Sequence, residues 1–204
     1  MELLGPAGRS WGTLNARAMR FIPLVFALLV PLGCASPAPR AVSAVEGLPD
    51  YSPEDASVFG DVLAPGVFGL PSEVPPERDP KLPDRTHHAD AVVRVRVATV
   101  SEQLLAGTQG FTIVLAVEAP PLLGAPPENP LELQLARGSP SLAMVQAQGS
   151  ALVGRRFILF LKHYAHRGEQ VLHWHGEGDT PAFEEALLRA KALDEFSTKQ
   201  HTQD

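Results

Sequence analysis

Proline divides this chain. Ten of its twenty prolines crowd the fifty residues from Ala35 to Asp84. Each removes a backbone donor and obstructs a preceding helical turn, so neither a long helix nor a central strand fits there. The same stretch gathers Glu46, Asp50, Glu54, Asp55 and Asp61. Like charges repel, and the composition predicts a disordered, proline-rich acidic tether over residues 34–84. One apolar patch interrupts it: Val58-Phe59, Val62-Leu63, Val67-Phe68 and Leu70. Exposed aromatics in a free tether invite aggregation, so this patch is expected to dock on the domain as a strap. The alternative is a short partner-binding segment.

Upstream, Arg20 precedes an apolar run from Phe21 to Leu32 that ends in Gly33-Cys34. A positive flank, a short hydrophobic stretch and a small residue are the layout of a secretory signal. A spanning helix needs about 20 apolar residues, and this run is nearer about a dozen and contains Pro23 and Pro31. Leu32-Gly33-Cys34 resembles the end of bacterial lipoprotein signals, in which a small residue precedes a cysteine that is acylated and becomes N-terminal. Pro31 stands where leucine is usual. The resemblance implies a signal peptide over residues 1–33, lipidation (palmitate) at Cys34 and attachment to a membrane. A start at Met19 would give a shorter, more typical signal and leave residues 1–18 untranslated. Ala35 follows the cysteine where inner-membrane lipoproteins of some bacteria carry aspartate, so the resemblance favours the outer membrane. Cys34 is the only cysteine, which forbids an internal disulfide. Acylation would also remove a free exported thiol.

The formal charge of −6 becomes about −8 without residues 1–33, which carry Arg9, Arg17 and Arg20 against Glu2. An acidic domain without clustered Lys and Arg argues against a nucleic-acid partner.

A folded domain is expected over residues 85–204. Val93, Val95 and Val97 alternate with Arg94 and Arg96, a half-buried strand with β-branched residues on one face. Phe111, Ile113, Leu115 and Val117 repeat the pattern. Gly107 and Gly110 suggest a wide hairpin between the two, and Pro120-Pro121 should end the second. Leu131, Leu133 and Leu135 give a third strand. Leu142 to Gln148 suits helix or strand equally. Phe157 to Leu161 is a continuous apolar run, as in a strand buried on both faces. A polar turn over Tyr164 to Glu169 leads to a partner strand, Gln170 to His175. Helix follows from Pro181 to Phe196, with Thr180 as cap, Pro181 at its first position and Glu184 and Glu185 in its first turn. Phe183, Leu187, Ala190 and Leu193 share one face of it.

Five short strands and a terminal helix predict a mainly β fold, a small, partly open OB-like barrel with a C-terminal helix. The opening Ala89-Asp90-Ala91-Val92-Val93, the strand end Val117-Glu118, and Leu152 to Leu161 with its glycine turn at Gly154 are similar to netrin-like OB-fold modules of TIMPs and some bacterial secreted proteins. The paired cysteines of those families are missing. In TIMPs an N-terminal cysteine chelates the target's zinc; Cys34 lies far from the domain and would be acylated, so that activity does not carry over.

Four histidines fall within thirteen residues: His163, His166, His173 and His175. His173 and His175 are two apart and share a strand face, from which imidazole nitrogens could hold a metal. A symmetric turn near His166 would pair His163 with Gln170 and place it on the opposite face. No carboxylate with ligand spacing joins them, and strand-edge histidines are the plainer reading. His163, His173 and His175 are therefore metal candidates, with no cofactor assigned. Trp174 faces the other way, towards a core. Arg94 and Arg96 could bind an anion or simply keep a β face soluble. His87-His88 points two ways at the tether boundary. There is no Gly-x-Ser-x-Gly elbow, no His-Glu-x-x-His, no phosphate loop and no dinucleotide fingerprint, so no enzyme is expected.

The expectation is a membrane-anchored envelope lipoprotein whose β domain binds another envelope protein, as an assembly or accessory factor of, for instance, a motility or secretion apparatus. Tethering raises local concentration, so weak affinity suffices. The alternative is a small-ligand or metal-binding lipoprotein that uses the histidine hairpin at 163–175.

Overall fold

Val93, Val95 and Val97 organise the rest: alternating, β-branched and all turned into one core, where none exposes more than 2% of its surface. The computed structural model describes residues 45, 47–105 and 107–201. In chain order these form α1 (Pro53–Val58), β1 (Val62–Leu63), α2 (Leu82–His88), β2 (Ala91–Leu105), β3 (Thr108–Gly124) and β4 (Leu131–Leu135). They continue with α3 (Leu142–Leu152), β5 (Arg156–His166), β6 (Glu169–Gly178) and α4 (Pro181–His201). Cys34 and the signal at 1–33 lie outside the described residues.

The fold is mainly β, as expected, but the sheet has six strands rather than five, in the order β1-β6-β5-β2-β3-β4. It curls into a half-barrel and is not closed. All neighbours are antiparallel except β1, which runs parallel to β6 and pairs Val62 with His175 and Leu63 with Gly176. A two-residue strand leaves no periodicity to read, which is why the sixth strand is invisible in the sequence.

Each face of the sheet has its own apolar cluster. One holds Val93, Val95, Ile113, Leu133, Leu159 and Trp174, with Val145 and Leu152 of α3. The other holds Val92, Ile158, Phe160 and Tyr164 against Leu82 of α2 and Phe183, Leu187 and Ala190 of α4. β5 supplies both, so its run from Phe157 to Leu161 is continuously apolar and at most 1% exposed.

Residues 50–88 are not the extended tether that composition predicts. Ser52 and Asp55 form a capping box on α1. Phe59 is fully buried in the second cluster, while Leu63, Val67 and Phe68 enter the first. The segment thus wraps the β6 edge and feeds both cores, which is the docked strap expected of the apolar patch. Each such side chain contributes about 1.5–3 kcal/mol towards offsetting the cost of ordering the segment. The prolines are no obstacle, because Pro53, Pro65 and Pro76 open short helical segments, where a missing donor is harmless. Two glycines permit the close approach. A Cβ on Gly176 would stand 2.8 Å from Leu63 Cδ2, and one on Gly178 would stand 2.9 Å from the Gly66 carbonyl oxygen.

Other local expectations are corrected. The hairpin after β2 is tight, since pairing runs out to Leu105 and Thr108. Pro120-Pro121 does not end β3. The register jumps from Arg94–Glu118 to Val92–Leu123, so the diproline falls in an irregularity where no ladder donor is needed. Leu142 to Gln148 is helix. The β5–β6 turn is Arg167-Gly168, both with positive φ, and His163 pairs with Leu172 rather than Gln170. The two-residue slip leaves His163 on the face opposite His173, as expected. Thr180 caps α4 by accepting from the Phe183 N–H at 3.2 Å. Leu193 is 64% exposed, not on the buried face, although His87 of α2 meets the adjacent Asp194.

Candidate functional site

The histidine hairpin is brought together by β5 and β6, but His163, His173 and His175 each engage a different carboxylate, and His166 is exposed at the end of β5. His163 Nδ1 lies 3.1 Å from Asp90 Oδ2, which also accepts from the His163 backbone N–H at 2.7 Å. Lys162 Nζ reaches the other oxygen at 2.6 Å. Burial works to raise the Asp90 carboxyl, but the hydrogen bonds from Lys162 and His163 outweigh it and hold it below its ordinary value.

His173 Nδ1 lies 3.0 Å from Asp61 Oδ2, whose second oxygen accepts from the Trp174 N–H at 3.0 Å. The Asp61 N–H in turn donates to the Trp174 carbonyl at 3.0 Å. Asp61 adopts a left-handed φ of 53°, an unusual backbone for a residue with a side chain, and these bonds hold it there. Tyr164 donates from its hydroxyl to Asp55 Oδ1 at 3.0 Å, and Tyr51 to the Phe59 carbonyl at 3.1 Å. Burial, then the nearby carboxylates, push both phenols up. This end of the hairpin is a clamp for the strap.

His175 is 9% exposed, and its Nε2 lies 2.8 Å from Glu177 Oε1. Burial pushes the imidazole pKa down, against the pull of the Glu177 bond. Arg85, 4% exposed, bridges Asp79 at 2.9 Å and Glu177 at 3.4 Å, and its Nε donates to the Val58 carbonyl at 3.3 Å. The strap, α2 and β6 thus meet on one buried ionic cluster. A hollow of about 240 Å³ lies beside it, lined in part by Ser72, Asp79, Glu177 and Phe183.

Among the described residues no three or more His, Cys, Asp or Glu side chains are grouped to hold a metal ion. Trp174 is 2% exposed in the core, as expected. Arg94 pairs with Glu184 at 2.6 Å and with Asp179 at 3.4 Å, and Arg96 pairs with Glu118 at 3.1 Å. Carboxylates occupy the positions an anion would take. His87 meets Asp194, and His88 Nδ1 bonds the Asp84 carbonyl at 2.9 Å. Sequence reading missed the partners Asp61, Asp79 and Arg85; the apolar patch around Phe59 was the one signal that this segment packs on the domain.

The more open feature is the seam where the half-barrel fails to close. β4 ends the sheet order, with no strand on its outer edge among the described residues. The outer edge of β6 takes backbone bonds from Asp61, β1 and Ala64 at Trp174 to Gly176. Between β4 and β6 run two hollows of about 340 and 380 Å³ that share Leu172. Leu131, Leu133, Leu161 and Trp174 supply apolar walls. Among the described residues no helix is long and apolar enough to cross a membrane. No protein-family model matches the chain, and no curated protein gives a significant match.

Proposed function

We propose that this chain is a lipid-anchored envelope protein whose β domain binds another envelope protein as an assembly or accessory factor. The Leu32-Gly33-Cys34 motif after the short apolar run supports the anchor, with the outer membrane favoured by Ala35. The observation that carries the binding role is the seam: a β4 edge with no strand beside it among the described residues, next to a partly apolar groove. An anchored domain needs only modest affinity for a partner in the same membrane layer. The netrin-like resemblance supports an OB-like architecture and no particular activity.

A photo-reactive residue at Gln134, which lines the seam, tests this in cells that produce the chain. The expected result is one dominant envelope adduct, absent from a matched probe at Glu185 on α4 and reduced in a Cys34→Ala chain. Equal labelling from both positions, or none from the seam, would remove the proposal.

A further inference from the structure

We propose that the seam between β4 and β6 takes an extended, basic segment of the partner, which pairs with the free edge of β4 as a seventh strand. The inference rests on the reading of the domain as a partner-binding module, and it specifies how the partner is held.

Backbone supplies the first argument. An edge strand presents a row of donors and acceptors at fixed spacing, and addition of a strand satisfies them without any rearrangement of the sheet. β4 is paired by β3 on one side only, from Leu131–Leu115 to Leu135–Phe111. Its inward residues Leu131, Leu133 and Leu135 are buried, and its outward residues Glu132 and Gln134 are exposed. A strand laid beside it would continue the curl and inherit the same alternation. Every second side chain would then enter the hollows over Leu161 and Leu172, and the others would stand beside Glu132 and Gln134.

Charge supplies the second. Glu128 and Glu132 line the seam, both are exposed, and neither joins an ion pair among the described residues. No lysine or arginine lines either hollow. Glu102 and Glu169 on the sheet also join no ion pair among the described residues, whereas three carboxylates on or beside it are held by cations. Glu118 is held by Arg96 and Arg156, Asp90 by Lys162, and Glu177 by Arg85. The seam therefore keeps negative potential for a cation brought from outside, and an apolar–basic alternation matches both its walls and its rim.

The test uses the full chain in mild detergent and a fluorescent peptide that alternates valine and lysine. Saturable binding is expected, at least about tenfold weaker for a valine–glutamate peptide and lost when alternate backbone nitrogens are methylated. Amide exchange should slow at residues 131–135. A Glu128→Gln, Glu132→Gln double variant, with an unchanged circular dichroism spectrum, should lose about tenfold in affinity. The inference is overturned by no saturable binding at about 1 mM peptide, or by equal affinity for both peptides. It is also overturned by protection away from β4. Protection of β4 that rises with protein concentration alone would assign the seam to a second copy of the chain instead. A Gln134 adduct to an envelope protein that is unaffected by the double variant would leave the partner-binding reading intact and remove this inference. Lysine-selective peptide binding without an envelope adduct would do the reverse.

Discussion

Tyr51 lies flat on His173, with ring centroids 3.7 Å apart and planes within 5°. The two residues are far apart in the chain, and their stack holds the strap on the β6 edge beside Asp61. The strap is therefore part of the folded core rather than a leash leading to it.

Phe59 tests that statement most directly. It is fully buried among Tyr164, Phe160 and α4, whereas in a free tether it would touch nothing. Phe59→Ala should destabilise the fold by about 3–5 kcal/mol, read from the midpoint of urea unfolding. A loss below about 1 kcal/mol would return residues 50–88 to the status of a tether.

How much of this was legible depends on the range over which each feature is determined. The strand around Val93 to Val97, the two-faced run Phe157 to Leu161 and the capped start of α4 are local patterns, and each was readable. The strap's place was not. Asp61 and His173 are 112 positions apart and bring no shared periodicity. Proline content suggested an extended chain because composition reports donor loss without saying whether a donor was needed, and at Pro53, Pro65 and Pro76 it was not. The seam escaped the sequence for a related reason: curling of the sheet brings Leu133 and Leu172 to the same groove, and no sequence spacing records a curl.

The buried ionic cluster should be costly to break and cheap to leave alone. Arg85 compensates Asp79 and Glu177 where water has little access. Arg85→Ala should cost about 3–5 kcal/mol, because two carboxylates are left facing each other with no cation. Arg96→Ala removes a half-exposed pair with Glu118 and should cost less than about 1 kcal/mol. Equal effects of the two substitutions on the urea midpoint would contradict the burial of the cluster.

His175 makes the fold sensitive to mild acid. Burial lowers its pKa in the folded state relative to the unfolded chain, so the unfolded state binds more protons as pH falls. Stability from this group is present above the unfolded value, about 6.5, and is lost progressively below it. Asp55 and Asp90 are also held low, Asp55 by bonds from Ser52 and Tyr164 that overcome its burial. Their contributions disappear only in the carboxylate range, below about 4. The difference in unfolding midpoint between the natural chain and His175→Gln should therefore change between pH 7.5 and 5. A difference that stays flat across that interval would mean that the fold does not shift the His175 pKa, and one that moves in favour of the natural chain as pH falls would mean that the fold holds the proton.

Membrane attachment should depend on Cys34 alone. Acyl chains bury about 0.8 kcal/mol per methylene in a bilayer, and stable attachment takes more than one chain. A triacylated or diacylated Cys34 should hold the protein in the membrane fraction through high-salt washing, which removes proteins bound by charge only. The acidic balance of the chain gives it no electrostatic route of its own to an anionic lipid surface. Cys34→Ala should abolish incorporation of radiolabelled palmitate and leave an unprocessed precursor or a soluble protein. The folded domain should be unaffected, since a single cysteine can form no internal disulfide, and the urea midpoint of the soluble form should match that of the natural chain in detergent. Undiminished labelling of the alanine variant, or its full retention in salt-washed membranes after processing, would remove the lipid anchor from the proposed function while leaving the seam and its partner open to test by the Gln134 probe.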